Sequence, residues 1–246
     1  MTEDPEDHQD HQFSAGQGFD EPYEGFDLED PSVQVDAIDQ VDPVDSHVLT
    51  DQLDDAHVSP GDVDTESLLD VGLSYMRIER YEQAADAFER VARFAEDERL
   101  EQEAWTNKGA AHAEMEEYDR AIGAYREAID IDDDSEHAAT AETNLAYALW
   151  EFGRTEEALE HAERAVEIDP RFGEAWYNRG FFLNERGLSE DALNAFDNAV
   201  RLGFRTADLL EEKAIALEEM GEMDRAEAVV EEAEELREEQ EQQLLE

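Results

Sequence analysis

The chain's stock of ligating and proton-carrying side chains is seven histidines and 70 carboxylates, with no cysteine. His8 and His11, beside Asp7 and Asp10, could touch a transition metal loosely, but they sit in a polar stretch without helical period, so a solvated acidic segment is the simpler reading. The run DIDDDSE at Asp130–Glu136 opens like a calcium loop, yet the central glycine and the bidentate glutamate at the twelfth position are missing. It reads as an acidic connection. His112 falls on the inner side of an amphipathic stretch, which suits a core histidine, and His161 has no nucleophile near it in sequence. Without cysteine there is no thiolate nucleophile, disulfide or Cys-ligated zinc. No phosphate-binding loop, dinucleotide glycine fingerprint or nucleophile elbow occurs. The expectation is a protein that is not an enzyme and uses neither cofactor nor metal.

Charge narrows the choice of partners. Seventy Asp and Glu against 18 Lys and Arg give a formal net charge of −52. Nucleic acids and anionic membranes bind through clustered Lys and Arg, so both are excluded as expected partners. No run of 18 apolar residues occurs, and the opening MTEDPEDHQDHQ lacks the basic and apolar regions of a secretion signal, so a cytoplasmic location is expected. Lys108 and Lys213 are the only lysines; the other sixteen cations are arginines. Acid spread along the whole chain with lysine nearly absent points to a halophilic, archaeal cytoplasm. In molar salt the screening length falls to about 3 Å and self-repulsion fades.

The chain divides near residue 65. Residues 1–64 hold 20 acidic residues, no Lys or Arg, and five of the six prolines. So much charge with so little apolar surface cannot offset the entropy of ordering, and a disordered acidic N-terminal arm is expected. Phe13, Phe19, Tyr23, Phe26 and Leu28 could serve within it as a docking motif. The Val/Ile–Asp alternation from Val33 to Val44 is kept from being a strand by Pro43 and by its charge.

From residue 65 onward the period is helical and the sequence repeats itself. An alanine is followed four residues later by an aromatic and three further on by a small residue. Ala84–Phe88–Val91, Ala121–Tyr125–Ala128 and Ala192–Phe196–Ala199 fit this, while Ala158–Ala162–Ala165 and Ala226–Val230–Ala233 carry a reduced middle residue. The leading alanines are 37, 37, 34 and 34 residues apart. Twelve residues before them stand Gly72, Gly109, Ala146, Gly180 and Ala214, and four residues earlier again come Leu68, Trp105 and Trp176. Tyr81 and Tyr118 precede their alanines by three, and Pro170 closes one copy.

This register resembles the tetratricopeptide repeat, with its W-x2-L-G-x2-Y, A-x3-F and closing proline on a 34-residue helix–turn–helix unit. The resemblance implies an all-α, right-handed solenoid of about five repeats: 65–98, 102–135, 139–172, 173–206 and 207–240, with 241–246 as a polar helix end. One such hairpin cannot bury its apolar face alone, and stacking supplies the core. Phe88, Tyr125 and Phe196 are expected to fill the gap between neighbouring units, and Gly153, Gly187 and Gly221 to end first helices in left-handed backbone. The periodicity predicts helices over roughly 66–78, 82–95, 103–115, 119–131, 139–152, 156–168, 173–186, 190–202, 207–220 and 223–242. Glu142 stands where Trp105 and Trp176 stand in other copies, making the third unit the least regular. Lys108, Arg179 and Lys213 replace the family's leucine, with stems expected to pack and charges to reach solvent.

In this family the first helix of each unit lines the concave groove. Carried over by position, the groove-facing set includes Leu73, Tyr147, Trp150, Tyr177 and Phe181, with Asn107, Asn144 and Asn178 recurring in register beside them. The aromatics, with Trp150 the most exposed, are expected either to form an anchoring patch or to pack between helices, and the asparagines either to address a bound backbone or to be spaced surface polar residues. Some family members clamp a C-terminal carboxylate with groove Lys and Asn, and lysine is missing from the groove here. The matching positions here carry Thr106, Thr143, Tyr177 and acids, so an apolar, neutral or basic peptide or protein is the expected partner. The functional expectation is a protein–protein interaction scaffold. Its alternatives are an adaptor whose acidic arm occupies its own groove, and a self-associating structural scaffold.

Transfer from molar salt to about 0.1 M lengthens the screening distance to about 10 Å and should loosen the fold. A melting temperature that does not respond to salt would contradict the halophile assignment.

Overall fold

The computed structural model describes residues 63–244. The acidic arm, its aromatic motif and the pair His8 and His11 lie outside the described residues. Among the described residues ten helices follow one another: α1 (Thr65–Arg77), α2 (Tyr81–Phe94), α3 (Glu98–Glu114), α4 (Tyr118–Ile131), α5 (Glu136–Glu151), α6 (Thr155–Ile168), α7 (Gly173–Glu185), α8 (Ser189–Arg201), α9 (Ala207–Glu219) and α10 (Met223–Leu244). They pair as five antiparallel hairpins stacked into a right-handed solenoid. The first helices of successive hairpins pack on one another, whereas second helices pack on first helices. First helices therefore line the concave side.

Each hairpin turns in three residues, and the same turn is used five times. The middle residue is left-handed at Glu79, Glu116, Gly153, Gly187 and Gly221, with φ from 58° to 86°. Its N–H and the next residue's N–H reach back to two carbonyls at the helix end. In the first unit Glu79 N donates to Met76 O at 3.0 Å and Arg80 N to Tyr75 O at 2.9 Å. The carbonyl of that last turn residue then accepts from the N–H of the signature alanine, as Arg80 O does from Ala84 at 3.0 Å, so one short turn closes one helix and opens the next. The three glycines stand where the sequence placed them. Glu79 and Glu116 hold the same backbone without glycine's freedom.

Four of the five first helices start on a side-chain cap, α7 being the exception. Asp64 accepts from Ser67 N at 3.0 Å, Asp97 from Arg99 N at 3.1 Å, Ser135 from Ala138 N at 3.0 Å and Thr206 from Leu209 N at 3.1 Å. Asp97 and Ser135 begin their helices earlier than the periodicity predicts, at 98 instead of 103 and at 136 instead of 139. That is where the three extra residues of the 37-residue spacings go. α3 and α5 have 17 and 16 residues, against 13 in α1, α7 and α9. Gln102, 1% exposed, secures the added turn by donating to Ala128 O at 2.9 Å and Asp132 O at 2.6 Å while accepting from Ser135 Oγ at 2.7 Å.

Within a hairpin the helices close on a glycine–aromatic contact. A Cβ at Gly72, Gly109 or Gly180 would lie 2.5–2.6 Å from the ring of Phe88, Tyr125 or Phe196 respectively, and all three rings are buried. These aromatics are thus seated against the first helix of their own unit, a contact that the expectation of a gap-filling role between units did not include. In the third and fifth units the glycine becomes Ala146 or Ala214 and the ring becomes Ala162 or Val230. In the third unit Ala146 and Ala162 are both fully buried, so volume moves from one helix to the other, whereas Val230 of the fifth unit is exposed at 36%.

Successive units are tied by a recurring ion pair from second helix to next first helix. Lys108 meets Glu89 at 2.8 Å, Arg179 meets Glu163 at 3.6 Å and Lys213 meets Asp197 at 2.6 Å. Lys108 and Arg179 also lie over the Trp105 and Trp176 rings, at 4.7 and 5.7 Å. In the irregular third unit, Glu142 is 4% exposed and its Oε2 is 2.5 Å from His161 Nδ1 on the facing helix. A polar pair there replaces the tryptophan-and-alanine combination of the second and fourth units.

Gly180→Ala should cost about 1–3 kcal/mol by overpacking Phe196, read from urea unfolding. Combined with Phe196→Ala, which reproduces the third unit's own pair, its further cost should nearly vanish. Gly123, with nothing near its missing Cβ, provides the contrast: Gly123→Ala should stabilise by roughly 0.5–1 kcal/mol.

Candidate functional site on the concave face

The groove deepens into a cavity of about 530 Å³ across the second, third and fourth units. It exists because α3 is thin where its neighbours are thick. Ala110 and Ala113 take the positions occupied by Tyr147 and Trp150 one unit later. Asn144 and Tyr147 from α5 and Tyr177, Asn178 and Glu174 from α7 form the opposite wall, with Glu114, Glu116, Tyr118 and Tyr125 completing it.

Four of the eight residues singled out from sequence meet here: Tyr147, Tyr177, Asn144 and Asn178. Tyr147 is the exposed ring, at 45%, and its hydroxyl donates to Glu151 Oε1 at 2.8 Å. Tyr177 is half-buried, its ring 5.5 Å from Phe204 and 6.2 Å from Phe196. Asn178 is already engaged, its Nδ2 donating to Thr143 O at 3.3 Å in the preceding first helix. Trp150 reverses the expected order of exposure. It is half-buried, edge-on to Phe181 at 5.0 Å, and together they back the wall while Tyr147 faces the groove. Leu73 packs into the core of the first unit, and Asn107, half-buried, does not line the cavity.

Sequence reasoning did not single out Tyr118, Tyr125, Glu114, Glu116 or Glu174. The available signals were the two alanines of α3 and the substitution of tyrosine for phenylalanine at 125.

The lining is acidic and phenolic, with no Lys or Arg in it. Burial, then the hydrogen bond and charge of Glu151, push the Tyr147 phenol up to about 12. Burial, then Glu212 and Asp208, push Tyr177 up to about 12. Burial and the Glu114 charge push Tyr125 up as well, and Tyr118 rises through burial and then Glu151. The groove walls shield Glu174 from water on one side and lift its carboxyl above the usual range, although the side chain is exposed at the mouth. The phenols therefore stay protonated and can both donate and accept hydrogen bonds. His112 is buried with Nδ1 2.9 Å from Glu117 Oε2, and His161 pairs with Glu142. No group of three or more His, Asp or Glu placed to hold a metal ion occurs among the described residues, and none of their helices is long and apolar enough to cross a membrane.

Models described as tetratricopeptide repeat match residues 66–94, 100–171, 161–194 and 183–241, well over half of the chain. No curated protein sequence matches it. Among solved structures, it is similar to MamA, at 18% identity and a TM-score of 0.58 over 70% of this chain and 97% of that one. BtubC (BKLC) from P. vanneervenii aligns at 16% identity and a TM-score of 0.62, over 72% of this chain and 80% of that one. A thermophilic repeat protein of the same kind from Thermus thermophilus aligns at 20% identity and a TM-score of 0.56, over 70% of this chain and 91% of that one. At such identities the likeness is one of fold.

The tyrosines give a pH signature. A phenol with a higher pKa in the folded chain than in the unfolded chain, where it is near 10, stabilises the fold fully below pH 10. That contribution is lost as pH rises towards about 12. Absorbance at about 295 nm should therefore show these phenols ionising later in the native protein than in urea, and Tyr147→Phe should remove part of the lag. Coincident titration curves would contradict the buried wall.

Proposed function

The chain belongs to the tetratricopeptide-repeat family, and from that premise we propose that it is a protein–protein interaction scaffold whose partner engages the concave face at the cavity between α3, α5 and α7. The observation that carries this reading is the cavity itself, which spans three units and presents Tyr147 and Tyr177 at its wall. Rigid aromatic rings at the centre of a concave surface supply large contact area at low entropic cost, which is how interface hot spots work. Asn144 and the phenols add polar groups for a partner's backbone. A stacked-repeat frame keeps the surface preformed, so little ordering free energy is spent on binding.

The electrostatics favour one class of occupant. Glu114, Glu116 and Glu174 disfavour nucleic acid and also disfavour the chain's own arm, whose 20 acidic residues have no basic counterpart. They support a neutral or basic partner. Residues 65–240 would then be the interaction module. The charge balance supports a working medium of molar salt in a halophile's cytoplasm.

Affinity capture from a cell extract in molar salt tests the groove reading. Tyr147→Ala, at an exposed position, should leave the fold's melting temperature nearly unchanged while reducing the captured set. An identical set would reject the groove as the binding surface.

A further inference from the structure

The slot that closes each hairpin holds a bare ring in Phe88 and Phe196 and a hydroxylated one only in Tyr125. Packing does not ask for that hydroxyl, since phenylalanine fills the slot against Gly72 and Gly180 in the same way that Tyr125 fills it against Gly109. Tyr125 is 2% exposed, and its hydroxyl has no hydrogen-bond partner among the described residues. The hydroxyl is not fully closed off from solvent. Tyr125 also lines the cavity, where α3 is thinned to Ala110 and Ala113 beside Glu114. A hydroxyl unused by the fold and open to the groove is placed for a ligand.

We propose that this cavity seats one basic side chain, lysine or arginine, of the partner polypeptide, its charged end on the Tyr125 hydroxyl beside Glu114 and Glu174. The proposal rests on the groove reading above and names the chemistry of its contact. An apolar side chain would leave the hydroxyl unpaired, and a carboxylate or phosphate would meet the glutamates that line the cavity. A cationic side chain satisfies both: its N–H groups donate to the phenol oxygen and the carboxylates. Its methylene stem lies along Ala110 and Ala113, and the Tyr147 and Tyr177 rings offer faces that attract a cation. No Lys or Arg of the chain lines the cavity to compete.

Selection of random capped heptapeptides displayed against the full chain, at one fixed molar salt concentration, tests this. The wild type should enrich Lys or Arg at one peptide position. Replacing that residue by norleucine in the synthetic winner should weaken binding about tenfold or more, the scale of a hydrogen bond to a charged group. Tyr125→Phe, which keeps the packing of Phe88 and Phe196, should bind the basic and norleucine peptides with nearly equal affinity. Enrichment without a basic position, or a basic preference untouched by Tyr125→Phe, overturns the proposal. Tyr147→Ala separates the two readings. If it abolishes peptide binding while no basic position was selected, the groove reading stands and the cation site falls. If the wild type selects no peptide, or Tyr147→Ala binds the winners as well as wild type does, both fall.

Discussion

Everything in this molecule depends on how closely two helices of a hairpin can approach. Three of the five hairpins solve the problem with a glycine on the first helix and an aromatic ring on the second, in contacts that leave no room for a methyl group. The third hairpin uses Ala146 and Ala162, both fully buried, in their place. Either arrangement fixes the interhelical distance, and it is this distance that lets the second helix of one unit dock on the first helix of the next. Close packing makes the choice sharp, because an interior at crystal-like density does not absorb an added carbon without moving something.

The groove follows from that same packing. Once first helices stack side by side on the concave face, the residues at their inward positions are set side by side, and a unit with small residues leaves a hollow between larger neighbours. Ala110 and Ala113 make the hollow, and Tyr147 and Tyr177 wall it. Trp150 and Phe181, which share the same stripe, are drawn edge to edge and lose much of their exposure to each other. Binding surface and core are therefore made from one stripe of residues, and neighbours in the next unit decide which rings end in which.

Charge is organised around the stack. Both lysines of the chain, Lys108 and Lys213, are placed between units with their stems covered and their ends paired to an acid of the preceding second helix. Arg179 does the same at the junction between the third and fourth units. The cavity lining has no Lys or Arg, so it keeps an uncompensated acidic character. That asymmetry gives the groove a preference for what it holds.

The sequence by itself determined the repeat register, the alternation of helices and the glycine turns, because these are local: a 34-residue period, a left-handed residue and an apolar stripe are all written in consecutive residues. It also marked Tyr147, Tyr177, Asn144 and Asn178 as inward-facing through that register. Tertiary structure decided which of the marked residues meet, since that depends on residues 30 to 70 positions away. Leu73 went to a core, Trp150 turned edge-on to Phe181, and Asn178 was taken up by the Thr143 carbonyl. Only the stack joined the glycine to the ring twelve plus four residues later, turned the three-residue insertions into an extra helical turn, and set the hydroxyl of Tyr125 at the edge of a cavity that no single repeat contains. A hollow between units has no local signature, because its walls are contributed by different helices and its depth is set by how closely those helices pack.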